Sequence, residues 1–250
     1  MEENMSSVEQ NTSSSLAVPI AIIVGFGLIA AAIFFSGKTE SGTAVAIPDA
    51  AETGAVKDEL NLSAINPITE DDHVRGNPNA QILFVEYSDY DCPFCKSYHE
   101  TMDKIMEEYG ADGRVAWVYR HLPFQQLHPG APMLAQASEC VAKLGGNDAF
   151  WTFSDYIFGE RSINEQTNPI LIPDFVTNSG VNVDQYNTCM ESGETVAAVE
   201  EDYDDAIDMG VRGTPFTVIM VGGQQFSING AQPHENVKLM LDDLISQIEG

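Results

Sequence analysis

Cys92-Pro93-Phe94-Cys95 sets two thiols two positions apart. Thiols at that spacing can close a disulfide across one helical turn and reopen as a dithiol. The chemistry is thiol–disulfide exchange, in which a thiolate attacks a disulfide sulfur and a second thiol resolves the mixed disulfide. The same spacing is also half of a zinc site, which would need two more ligands. The other cysteines, Cys140 and Cys189, are isolated in sequence, and His99 falls on the helix that carries Cys95.

The flanking sequence decides how easy the exchange is. Residues 81–88 are rich in β-branched and aromatic side chains, as a buried strand should be. Tyr98, Met102, Ile105, Met106 and Tyr109 recur at helical spacing and predict a helix over 92–109. Cys92 therefore falls at the helix N-terminus and Pro93 in the first turn, where its missing N–H costs nothing. Unpaired amides and the positive end of the helix dipole stabilise a thiolate there, which makes Cys92 the nucleophile and a good leaving group. Cys95, one turn in, should be more buried and act as its partner.

The other elements follow the same periodicities. A strand is expected over 114–120, helices over 130–145, 148–158, 169–179, 183–191 and 194–209, then strands over 214–221 and 225–229. Gly222-Gly223 between the last two is a hairpin signal, and a closing amphipathic helix is expected over 235–248. The order is β-α-β, a helical insertion at about 125–210, then β-β-α, an α/β sheet with covering helices.

The 250 residues carry 38 acidic against 11 basic side chains, a net charge of −27. That excludes a nucleic-acid partner, whose phosphates demand clustered Lys and Arg. The acidic run Glu200-Glu201-Asp202-Tyr203-Asp204-Asp205 reads as a solvated helix face, with a weak divalent-cation site as the alternative. Residues 16–35 form an uncharged apolar run. As a helix it spans about 30 Å, the thickness of a bilayer core, so an uncleaved single-pass anchor is expected. A polar tail (1–15) precedes it. A flexible tether (36–64) follows it, with a reach of roughly 30 Å, and the folded domain is expected from about Ile65.

Taken together, CPFC after the first strand, the stretches VEYSDYDCPFCKSYHE and VYRHLPFQQLHPGAPMLAQASECV, and GVRGTPFTVIMVGGQQFSINGAQPHE resemble the DsbA-like thiol–disulfide oxidoreductases over residues 65–250. The resemblance implies a thioredoxin fold with a helical insertion. By position it makes Cys92 the attacking thiolate and Cys95 its partner. It also makes Pro215 the family's cis-proline, with Gly213 and Thr214 completing a loop that pairs with substrate in strand-like fashion. Glu86, six residues before Cys92, matches a buried acid that relays a proton to or from Cys95; a merely solvated or hydrogen-bonded glutamate is the other reading. Pro93 and Phe94 occupy the pair that tunes redox potential. Phenylalanine departs from the Pro-His of strongly oxidising members, and so leaves the direction of electron flow open.

Cys140 and Cys189 are either two buried small hydrophobes or a structural disulfide. The disulfide would close a loop of about 50 residues, worth roughly 4 kcal/mol by loop entropy. An even cysteine count favours pairing in an oxidising compartment. His121 and His128 flank a Pro/Gln-rich segment and read chiefly as loop-packing residues, and Trp117 and Trp151 read as core.

The expected function is a protein disulfide oxidase that is monomeric, needs no metal or organic cofactor and acts on cysteine-containing exported proteins. Reoxidation by a membrane partner of the DsbB or vitamin-K-epoxide-reductase type is implied by the resemblance alone. A reductase or isomerase, or a non-enzymatic peptide-binding or chaperone module, are the alternatives. Lys38 beyond the apolar run weakly favours a cytoplasmic domain, but the cysteine chemistry favours an extracytoplasmic one at the cell membrane.

Overall fold

In the computed structural model, which describes residues 60–249, strand β2 (Ile82–Ser88) lies at the centre of a five-stranded sheet. β1 (His73–Gly76) pairs antiparallel with β3 (Val115–His121), and β3 lies parallel to β2. On the other side of β2 lies β4 (Phe216–Val221), antiparallel to it, and then β5 (Gln224–Asn229), antiparallel to β4. Helices cover both faces of the centre, which is why β2 and β3 are buried along almost their whole length and read as continuous apolar runs. At the hairpin, Gly222 and Gly223 both take positive φ, 56° and 78°, as a tight two-residue turn requires.

Alternation assigns each side chain to a face. Ile82, Phe84, Val115, Trp117, Tyr119, Ile219 and Val221 belong to the larger core, which also takes in residues of α1 (Pro93–Ile105) and α7 (His234–Glu249). Glu86 shares that parity, so its carboxyl points beneath the helix that begins with the cysteine pair. Val85, Tyr87, Val118, Phe216 and Val218 form the second core with Ala206 of α6 (Val196–Asp208). Between β3 and β4 lie α2 (Ala131–Gly145), α3 (Asn147–Glu160), α4 (Ile172–Asn178), α5 (Val183–Ser192) and α6, the helical insertion.

Three observations depart from the sequence reading. β1 was not expected: its four residues, HVRG, contain one apolar side chain and fall below any periodic signal. Ahead of Ile65 a 3₁₀ turn at Leu62–Ala64 packs on the second core. The acidic run is not one solvated face. Glu200, Glu201 and Asp204 are exposed, but Asp205 is buried and accepts from Arg120 Nη1 at 2.7 Å, from Asn66 N at 2.8 Å and from the Tyr87 hydroxyl. Asp202 accepts from His121 N at 2.8 Å, and burial raises its pKa to about 6. Among the described residues no helix is long and apolar enough to cross a membrane. The expected tail and the anchor at 16–35 lie outside the described residues, as does most of the tether.

Candidate active site

Cys92 is the N-cap of α1 and Pro93 its first residue, so the Cys92 thiol meets the free amides of the first turn. Both cysteines are free thiols. Hydrogen bonding from the Cys95 thiol is the chief cause that brings the Cys92 pKa down to about 6. Burial opposes it, and Thr214 with the amides of Phe94 and Cys95 assists. Cys95 is wholly enclosed, and burial, reinforced by the thiol and charge of Cys92, raises its pKa well above the ordinary thiol value. One thiol ionises readily and the other resists. Phe94, between them, is 65% exposed, leaving an apolar side chain at the rim of the site.

Beneath the pair, Glu86 is buried and accepts from Trp117 Nε1 at 2.9 Å. Burial raises its pKa to about 8, partly offset by polar contact with Ser88 and Trp117, so near neutrality it is largely a neutral acid with a proton to give. The charge of Glu86 is felt at both Cys95 and Tyr119. Trp117, expected only as core, thus also orients the acid.

The loop before β4 closes the site from the other side. The Thr214–Pro215 bond is cis, and the Thr214 carbonyl accepts from Cys92 Sγ at 3.6 Å. Gly213 is exposed, Thr214 half-buried and Pro215 buried. The structure therefore brings Cys92, Cys95, Pro93, Phe94 and the Thr214 carbonyl to one place, with Glu86 underneath. Cys140 and Cys189 are not part of it. They form a disulfide joining α2 to α5, with Cα atoms 5.9 Å apart.

Two positioning residues carried no sequence signal strong enough to single them out. Arg161, just past α3, is buried; its Nη2 donates to the Cys92 carbonyl at 2.6 Å and its Nε to the Tyr90 carbonyl at 3.0 Å. Burial lowers its pKa, while Asp91, Cys95 and Cys92 favour its charge. A guanidinium stays protonated in any case, so a fixed cation stands behind the cysteine turn. Asp89 holds the turn itself. Its side chain accepts from Asp91 N at 2.9 Å and Phe124 N at 2.8 Å, and lies 2.9 Å from His128 Nδ1. Its own amide donates to Cys95 Sγ at 3.4 Å. The one local signal for it is the Asp-Tyr-Asp triplet before Cys92, since aspartates favour turns. His128 thus anchors a loop against the active turn. His121 lies elsewhere, against Glu139. Among the described residues, the side-chain groups spaced like metal ligands include neither Cys92 nor Cys95.

The sequence pattern of the thioredoxin family matches residues 68–243, and the chain belongs to that family. Of solved structures, alpha-DsbA1 from Wolbachia pipientis has a TM-score of 0.62 at 22% identity, over 72% of this chain and 94% of that one; the likeness is one of fold. DsbA2 from Pseudomonas aeruginosa has a TM-score of 0.57 at 25% identity, over 69% and 94% of the two chains. The Na(+)/H(+) antiporter NhaA 1 of Mycolicibacterium gilvum is 30% identical over 169 residues, 66% of this chain and 26% of that protein. The chain spans about a quarter of the length of the curated relatives it matches.

Proposed function

We propose that this chain is a thiol–disulfide oxidoreductase whose Cys92–Cys95 pair, in its oxidised form, donates disulfides to exported proteins outside the cytoplasm. The observation that carries this is the asymmetry of the pair: a Cys92 thiolate favoured at a helix N-terminus beside a carbonyl-lined loop, and an enclosed Cys95 above a protonated acid. A client thiolate attacks Cys92 Sγ of the disulfide, forming the client–Cys92 bond and releasing Cys95 as a thiolate. Cys95 is a poor thiolate in its enclosure, so a proton passes to it from Glu86. A second client thiolate then attacks the client sulfur of the mixed disulfide and expels Cys92, whose low pKa makes it the better leaving group. Two electrons move from client to pair. A membrane electron acceptor of the DsbB or vitamin-K-epoxide-reductase type would restore the disulfide, and an anchor over 16–35 would keep the domain beside it. The Thr214 carbonyl and the Phe94 ring suit an extended client segment carrying an apolar side chain.

Equilibrating the pair against glutathione buffers tests the direction. A potential at or above about −200 mV supports disulfide donation, whereas one near −270 mV reverses the assignment to a reductase. Phe94 is the observation that favours this second reading, since it offers Cys92 no imidazolium.

A further inference from the structure

Three side chains from three elements bring ligand atoms to one point away from the cysteine turn. His73 comes from β1, His121 from the end of β3 and Glu139 from α2. His73 Nε2 lies 2.6 Å and His121 Nε2 2.9 Å from the same carboxylate oxygen, Oε1 of Glu139. A carboxylate serving two buried donors has two oxygens to offer, yet both rings address one. Packing independent of Glu139 fixes their directions. His73 is stacked on Phe150, with centroids 3.6 Å apart and planes within 12°. His121 lies edge-on to Tyr119 and Phe150, and Asp202 holds its backbone.

His73 and Glu139 open into a cleft of about 550 Å³ lined by Glu70, Asp71, Asp72, Glu194 and Glu201. Lys143, the one cation of that lining, is paired with Glu194 at 2.7 Å. Asp72 pairs with Arg120 at 2.8 Å, and the remaining acidic side chains of the lining favour a cation beside His73 and Glu139.

We propose that His73, His121 and Glu139 form a site for a divalent transition-metal ion, of which zinc fits best, with water from the cleft as the fourth ligand. Two imidazoles and one carboxylate are the nitrogen and oxygen donors zinc takes at about 2.0–2.2 Å in tetrahedral array. Calcium would demand six or more oxygens. Ligand atoms around a shared zinc stand roughly 3.3 Å apart, so the two Nε2–Oε1 spacings open by about half an ångström. Each ring binds through its Nε2 lone pair, its remaining proton moving to Nδ1 and any second proton leaving to solvent. The ion ties the edge strand and α2 to β3, a structural role independent of the cysteine pair.

The test uses the full chain, stripped of metal and oxidised at Cys92–Cys95 so that no thiolate competes. It is titrated with Co²⁺ followed by visible absorption and with Zn²⁺ by calorimetry, with Mg²⁺ in excess to occupy surface carboxylates. One equivalent is expected, with the absorption of a low-symmetry Co²⁺ site and a melting temperature that rises with Zn²⁺ but not with Mg²⁺. His73→Gln and Glu139→Gln should each weaken binding about tenfold or more. Binding that Mg²⁺ abolishes, that both variants retain unchanged, or that leaves wild-type melting unmoved overturns the site. If either variant fails to fold by circular dichroism, the wild-type cobalt spectrum and Zn²⁺-dependent melting decide.

Discussion

Cys92 and Glu86 ionise in opposite senses from their ordinary values, and each ties stability to pH. The folded-state pKa of Cys92 is depressed to about 6, so its contribution to the reduced fold is complete above the unfolded thiol value near 9 and is lost as pH falls through 6. That of Glu86 is raised to about 8, so its contribution is complete below about 4.5 and is lost as pH rises through 8. Glu86→Gln should therefore leave stability at pH 4 nearly unchanged and raise it by about 4 kcal/mol at pH 8. Urea unfolding at the two pH values reads this, and a gain that is the same at both would remove the buried-acid account. The same variant should slow mixed-disulfide formation at least about tenfold, as loss of a general acid does. At Arg161, Arg161→Met strips a charged donor from the Cys92 and Tyr90 carbonyls. It should cost about 3 kcal/mol and raise the Cys92 midpoint, read as thiolate absorbance near 240 nm. An unmoved midpoint would make Arg161 purely structural.

At the scale of elements, β1 shows how a strand with no periodic signature is held. Its outer edge is closed by one side chain: Asn147 at the start of α3 accepts from Val74 N at 3.0 Å and donates to Val74 O at 2.8 Å. That satisfies an exposed edge without another strand. Asn147→Ala should cost about 1–2 kcal/mol and speed amide exchange at Val74 selectively, measured by hydrogen exchange. The long elements were legible in sequence because burial on both faces or on one helical stripe imposes a period. The cysteine turn was legible because Pro93 and the following stripe mark a helix start. β1 was not, nor were the inward turns of Asp202 and Asp205, since their partners, Arg120 and the His121 amide, sit on a strand some 80 residues earlier in the chain. Arg161 failed for the same reason: one basic residue after a helix has no local pattern, and its meaning lies in carbonyls about 70 residues away.

Across the whole molecule, the Cys140–Cys189 bridge spans 49 residues and ties α2 to α5 within the insertion. Loop entropy assigns such a closure about 4 kcal/mol. A Cys140→Ala/Cys189→Ala double variant should lose roughly that amount under non-reducing conditions, while keeping the Cys92 midpoint, since the bridge lies outside the active turn. Reductant should destabilise wild type toward the variant's level. Loss of both stability and midpoint would mean that the insertion and the thiol turn are not separable.

Arg161 sits on the insertion yet grips the peptide carbonyl of the reactive cysteine. The tetrapeptide is consequently not a portable cassette. Transplanted into a thioredoxin without the insertion, Cys92-Pro93-Phe94-Cys95 would keep its helix start and lose its cation, and its redox character would not travel with it. Heritable tuning of this site is then open to substitutions at the end of α3 that leave every residue of the CPFC segment untouched.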